Sequence, residues 1–331
     1  MEPYFPVPRV LVSRCLGFGT CRYDGQAVKD PLVEQLKRYV KMVPVCPEDA
    51  CGLGVPRAPV RLLEEEGELQ AYQPATDMDV TAILNSFITP YFAHRPLIDG
   101  AVVKGKSPCC GLWDAKRYQG QQEPKALGRG SGIFGSKLLE LYPEKALEDE
   151  SRLADLALRE HFYIKLFTLA RFRHLSRQPS MGAIEAFHSS NRLLFSAYNE
   201  QRYGAAGEIV ANKAEHSIDQ VCRLYYHEMV ALLDKPFAEG GIITSLYLAL
   251  AGVSKELSGE EHSQLVDLIE SYRDERVDLH GVTAVLEVHA ERLDNAELLE
   301  QTLLQPYPRG LSAHEEKVMF ACGVAEAVRW A

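Results

Sequence analysis

Eight cysteines punctuate this 331-residue chain, and six of them come before residue 111. Cys15 follows the apolar run RVLVS (9–13), Cys46 closes MVPVC (42–46), and the pair Cys109-Cys110 follows DGAVVKGKS (99–107). If those runs are neighbouring parallel strands, the loops leaving their carboxyl ends meet at one edge, where open α/β sheets place ligands. Gly or Pro follows Cys15, Cys46 and Cys110 within two residues and permits tight turns around a bulky group. Soft thiolates suit zinc, copper(I) or an iron–sulfur cluster, and three without a fourth leave one coordination position open. The competing account makes them small buried apolar side chains at strand ends, since no CxxC pair sharpens the metal reading.

Positioning these thiols requires an α/β first half. DPLVEQLKRYV (30–40) reads as a helix with Asp30 as N-cap and Pro31 at its first position. RLLEEEGELQAY (61–72) reads as a hairpin turning near Gly67. MDVTAILNSFITPYFAH (78–94) is helical, with Pro90 expected to kink or end it, and FGSKLLELYP (134–143) gives a further helix. From about Leu153 onwards the pattern becomes a succession of amphipathic helices, as in SIDQVCRLYYHEMVALL and EEHSQLVDLIESYRDER. The expected architecture is an α/β N-terminal domain with a mainly parallel sheet (1–147), then an all-α C-terminal domain (148–331). The Gly-rich LGRGSGIFGSK (127–137) lacks P-loop spacing and reads as a turn into a helix; an RNA phosphate at that N-terminus would be its ligand, if it has one.

Three segments, SRCLGFGTCRYDG (13–25), VPVCPEDACGLGVPR (44–57) and VKGKSPCCG (103–111), resemble the motifs of the thiouracil and 4-thiouridine desulfidase family, in order, over about the first 145 residues. The resemblance implies a 4Fe–4S cluster held by Cys15, Cys46 and Cys110, with sulfur captured at the iron that has no protein ligand. It implies non-redox replacement of that sulfur by water oxygen, Glu48 as general acid/base and Ser107 as a contact to the base. Cys21, Cys51 and Cys109 are additional thiols. Asp24 reads as a structural turn residue, and Lys104 as either a charge near the thiolates or a strand-end cation. The helical half, carried by RHLSRQPSMGAIEAFHSSNRLLFSAYN (173–199), resembles a domain found fused to such desulfidases, and the fused forms resemble enzymes acting on 4-thiouridine in tRNA.

Composition adds limits. The net charge of −10 argues against a protein that coats nucleic acid nonspecifically. The stretch 159–177 nevertheless carries five basic residues against one acidic, which makes Arg159, Lys165, Arg171, Arg173 and Arg177 the candidates for RNA contact, with His174 beside them. The same cations could instead form a solvated face, and His188 reads as a structural histidine. The partner is then tRNA bearing 4-thiouridine, or a small thiolated pyrimidine. A non-catalytic metal sensor with a partner-binding helical half is the alternative from another class. No apolar run is long enough for a membrane span and the N-terminus lacks the pattern of a signal peptide, so a reducing cytoplasm is the expected location.

Overall fold

The computed structural model describes residues 4–65, 67–121, 125–212 and 216–312. Contacts divide the chain into two units, Val7–Phe162 on one hand and the described residues of Met1–Pro6 with Tyr163–Ala331 on the other.

The first unit holds two sheets. One is a four-stranded, wholly parallel sheet ordered β2-β1-β6-β9, made of β1 (Arg9–Ser13), β2 (Lys41–Val45), β6 (Gly100–Val103) and β9 (Ala146–Asp149). The inner strands β1 and β6 are nearly continuous runs of buried residues, as a sheet covered on both faces demands. The second sheet is mixed, ordered β5-β4-β3-β7-β8. Its hairpin of β3 (Arg61–Glu65) and β4 (Glu68–Gln73) turns at Gly67, whose φ of 85° is cheap only for glycine. The short β5 (Met78–Asp79) extends one side. On the other side β7 (Ala115–Gln119) pairs with β8 (Lys125–Gly130) through a register shift at Arg117/Tyr118.

Four helices accompany the sheets: α1 (Pro31–Leu36), α2 (Pro47–Ala50), α3 (Thr81–Ala93) and α4 (Ile133–Leu141). Asp30 caps α1 by accepting from the Val33 amide, as expected from Asp-Pro at its start. Pro90 neither ends nor breaks α3, which continues to Ala93. Part of the Gly-rich 127–137 segment differs from expectation. Leu127–Gly130 lies in β8, and the first amides of α4 are already used: Ile133 donates to Pro108, and Phe134 and Gly135 donate to Cys109. The turn into a helix is found at Gly132, and the conditional phosphate ligand is not supported, because the chain's own carbonyls occupy those donors. The aromatic rings of Phe92, Phe134 and Tyr91 close the core beneath.

The second unit is helical throughout its described regular structure. It comprises α5 (Leu156–Leu175), which begins in the first unit, then α6 (Met181–Ser190), α7 (Arg192–Ala211), α8 (Ile218–Leu232), α9 (Glu239–Val253), α10 (Gly259–Arg273), α11 (Leu279–Arg292) and α12 (Ala296–Leu299). Ser217 with Gln220 and Ser258 with Glu261 form complete capping boxes for α8 and α10, so both helix starts are set by sequence. α7 is interrupted at Asn199, whose backbone is extended.

A Cβ at Gly135 would sit 2.1 Å from the Gly111 carbonyl oxygen, whereas one at Gly204, an exposed position of α7, meets nothing. Gly135→Ala is expected to lower stability by about 1–3 kcal/mol, and Gly204→Ala to raise it by up to ~1 kcal/mol. Chemical denaturation of the two variants checks the opposite signs.

Candidate functional site

The site is built at the carboxyl edge of the parallel sheet. β1 ends at Ser13, whose hydroxyl accepts from the Lys104 amide at 2.8 Å and so ties the ends of β1 and β6 together. The Arg14 amide donates to Val45 O, which ties β1 to the end of β2. From Ser13 the chain turns through Leu16 and Gly17 (φ 86°), carrying Cys15 along this edge. Cys46 leaves β2 as the N-cap residue of α2 and makes no capping bond with its side chain. Its thiol is therefore free to face its neighbours.

The neighbours are other thiols. Cys21, only 3% exposed, makes side-chain contact with both Cys15 and Cys46. Its thiol is pushed up to about 11, first by the hydrogen bond with Cys15; burial adds to this, while Cys46 opposes it. Cys46 is raised chiefly by its bond with Cys21 and then by burial. Cys109, fully buried, is raised well above the ordinary thiol range by its bond with Cys110, by burial, and by the charges of Cys110, Glu48 and Cys46. The third loop thus lies within electrostatic reach of the second. Crowded thiols without a counter-charge favour their protonated forms, and a coordinated metal reverses that preference.

The third loop is held rigidly. Ser107 Oγ accepts from the amides of Cys109 (3.2 Å) and Cys110 (3.0 Å), and Ser107 O accepts from Gly111. Gly111 has no room for a side chain, because a Cβ would lie 2.8 Å from Ser107 O. Lys104 pairs with Glu150 and not with the thiols, and the Gly105 amide also donates to Glu150 (2.7 Å). This settles Lys104 as a strand-end cation. Asp24 forms a turn, accepting from Gln26 N and pairing with Arg22.

Glu48 stands in the first turn of α2, and its Oε2 accepts from both Arg57 Nε (2.8 Å) and Nη2 (2.5 Å). The pair is nearly buried, at 12% and 4% side-chain exposure. Arg57 also donates to the carbonyls of Cys21 and Gly54, so one guanidinium joins the first and second cysteine loops. The Glu48 Oε1 oxygen keeps no partner among the described residues. Arg57 was not singled out from sequence. Its only signal was the arginine closing GLGVPR, and nothing local links it to a carboxylate nine residues earlier. By sequence Cys21 reads as an additional thiol, yet in the structure it neighbours both Cys15 and Cys46. Cys51 points elsewhere: its thiol contacts Glu48 O at 3.4 Å and lines a cleft with Phe87, Tyr91 and His94.

As a fit for a metal group, the donor set is sulfur-rich, comes from three separate loops and has a carboxylate beside it. No three His, Cys, Asp or Glu side chains among the described residues converge as ligands of a single ion. A cubane cluster spreads its thiolates over a wider span than one tetrahedral ion does, and paired thiols on adjacent loops suit that larger group.

The basic stretch of α5 is placed differently from expectation. Arg159 and Lys165 are buried, at 7% and 6% exposure, which removes both from the reach of a phosphate backbone. Residues 162–170 are buried on every side, so this part of the helix is core. Arg171 and Arg173 are half-buried, and only Arg177, with His174, is exposed. His188 meets the structural expectation. Its Nδ1 lies 3.2 Å from Tyr225 OH, its ring stacks on Tyr203, and burial lowers its pKa.

Comparison with known proteins places this arrangement. Residues 10–150 match the family model described as 2-thiouracil desulfurase, and residues 192–308 match a model of a protein family of unknown function, DUF1722. The uncharacterized protein YbbK of Bacillus subtilis (strain 168) is 30% identical over 136 residues, a match covering 39% of this chain and 88% of YbbK. A solved structure titled [4Fe-4S]-dependent thiouracil desulfidase TudS is 28% identical, overlapping 46% of this chain and 97% of its own with a TM-score of 0.35. Through residues 10–150, this chain belongs to the 2-thiouracil desulfurase family.

Proposed function

We propose that this chain replaces the sulfur of a thiolated uracil by oxygen from water, releasing sulfide, with a 4Fe–4S cluster held by Cys15, Cys46 and Cys110. The observation that carries the reading is the gathering of thiols from three loops at one sheet edge beside the Glu48–Arg57 pair. When bound, such a cluster supplies an iron open to soft sulfur, a Lewis acid that polarises a C–S bond.

The chain's own groups supply the rest. Glu48 Oε2 accepts two hydrogen bonds from Arg57 and leaves Oε1 for a water proton, so the carboxylate is oriented before any substrate arrives. Ser107 accepts two amide bonds and still has its hydroxyl proton to donate to a pyrimidine edge. Water adds to the ring carbon, sulfide leaves, and the two water protons leave with it or pass through Glu48. No electrons are gained or lost.

The favoured substrate is 4-thiouridine in tRNA. The match to YbbK covers 88% of that relative and 39% of this chain, which leaves a second unit available to hold a substrate larger than a free base. The second reading, a free thiolated base, is favoured by the acidic net charge and by the burial of Arg159 and Lys165. Arg177, exposed on this stretch, is the candidate cation for phosphate, and a reducing cytoplasm is the location that suits exposed cluster chemistry.

Anaerobic reconstitution of the full chain with iron and sulfide, followed by sulfide assay with thiolated tRNA and with free thiouracil, tests the reading. Release from tRNA is expected; release from free thiouracil alone would move the substrate to the second reading, and release from neither by cluster-loaded protein would refute the enzyme. Iron content is expected to collapse in Cys15→Ser, Cys46→Ser and Cys110→Ser and to survive in Cys21→Ser and Cys51→Ser. Loss in Cys21→Ser with retention in Cys46→Ser would reassign the ligand. Glu48→Gln is expected to keep its iron and lose about 100-fold or more in kcat. An unchanged kcat would remove Glu48 from the chemistry.

A further inference from the structure

Arg171, on α5 in the helical unit, carries a charge that no described residue neutralises. Among the described residues its hydrogen-bond partner is Thr168, reached by Nη2 at 3.2 Å, and it makes no ion pair. Its Nε is buried and has no acceptor. Burial lowers its pKa only to about 10, so the guanidinium stays charged at neutral pH. Buried charges in folded proteins are ordinarily paired, and an unmatched guanidinium donor calls for a partner.

The same residue lines a cleft of about 450 Å³, the size range of small-molecule sites. Its walls come from the same unit. Tyr4 meets His174 edge-on at 5.9 Å between ring centroids, Phe187 and Leu175 add apolar surface, and Ser190 adds a hydroxyl. The exposed Glu300 stands at the rim without pairing to Arg171.

We propose that this cleft binds a small oxyanion carried on an aromatic or apolar body, with Arg171 as the anion's partner. Arginine's planar guanidinium suits phosphate or carboxylate, and its Nη1 makes no hydrogen bond among the described residues. Rings on the walls hold the rest of the ligand. Phosphate monoester and carboxylate share this chemistry, and the test separates them. The inference is independent of the desulfidase reading, because its readout is binding in the second unit.

Calorimetric titration of the full chain with phenyl phosphate, benzoate, inorganic phosphate and neutral benzyl alcohol decides it. At least one aromatic anion is expected to bind about tenfold or more tighter than benzyl alcohol, and the stronger of phenyl phosphate and benzoate identifies the class. Arg171→Met is expected to lose that preference. Its melting temperature without ligand is expected to stay level or rise, since an unpaired, half-buried charge is removed. Ala186→Trp, which adds bulk at an exposed wall position of the cleft, is expected to weaken binding while leaving the fold intact. Anion binding that is equal in wild type, Arg171→Met and Ala186→Trp, or absent from wild type, overturns the proposal.

Discussion

The amides at the start of α4 donate to the carbonyls of Pro108 and Cys109, and the Gly132 amide donates to Gly111. Much of what the first unit offers chemically depends on this set of bonds. A loop carrying two adjacent cysteines has no regular structure of its own, and its carbonyls would be costly to bury unpaired. Here they are matched to helix-start amides that need acceptors just as much. The match demands backbone contact closer than any side chain allows, which is why Gly111, Gly132 and Gly135 stand at the junction. The backbone of the loop is therefore fixed from below by a helix and from within by Ser107.

A second constraint acts on the other two loops. Thiols brought together raise one another's pKa, and the sheet edge gathers Cys15, Cys21 and Cys46 in contact. Arg57 is the neighbouring cation that spans both loops, through Glu48, Gly54 and Cys21 O. Orientation of the carboxylate and alignment of the loops thus share one side chain. Disturbing Arg57 would alter both.

Much of this was legible in the sequence. The apolar runs of β1, β2 and β6 place three cysteines after three strands, and parallel pairing makes them converge. Asp30-Pro31 and the two capping boxes announce their helices through local chemistry alone. The second sheet was legible only in its hairpin. AKRYQ and KALGRG have neither alternation nor an apolar run, and they become β7 and β8 through pairing with one another and with β3. The basic stretch of α5 misled for a related reason: charge count is local, but burial is decided by helices distant in sequence. Arg159 and Lys165 look like surface cations until those helices are in place. The Glu48–Arg57 bond was hidden for want of periodicity, since an irregular turn joins the two.

The parallel sheet gains its outer strand late in synthesis. β9 pairs with β6 only once residues 146–149 exist, and the next residue, Glu150, anchors Lys104 and Gly105 ahead of the third cysteine loop. On a ribosome, Cys15 and Cys46 emerge roughly a hundred residues before the segment that fixes their distant companion. Long-range closure of this kind is slow relative to local helix formation. Until residues 146–150 have emerged, the first two cysteine loops stand beside a sheet edge that lacks both its outer strand and the carboxylate that anchors the third loop.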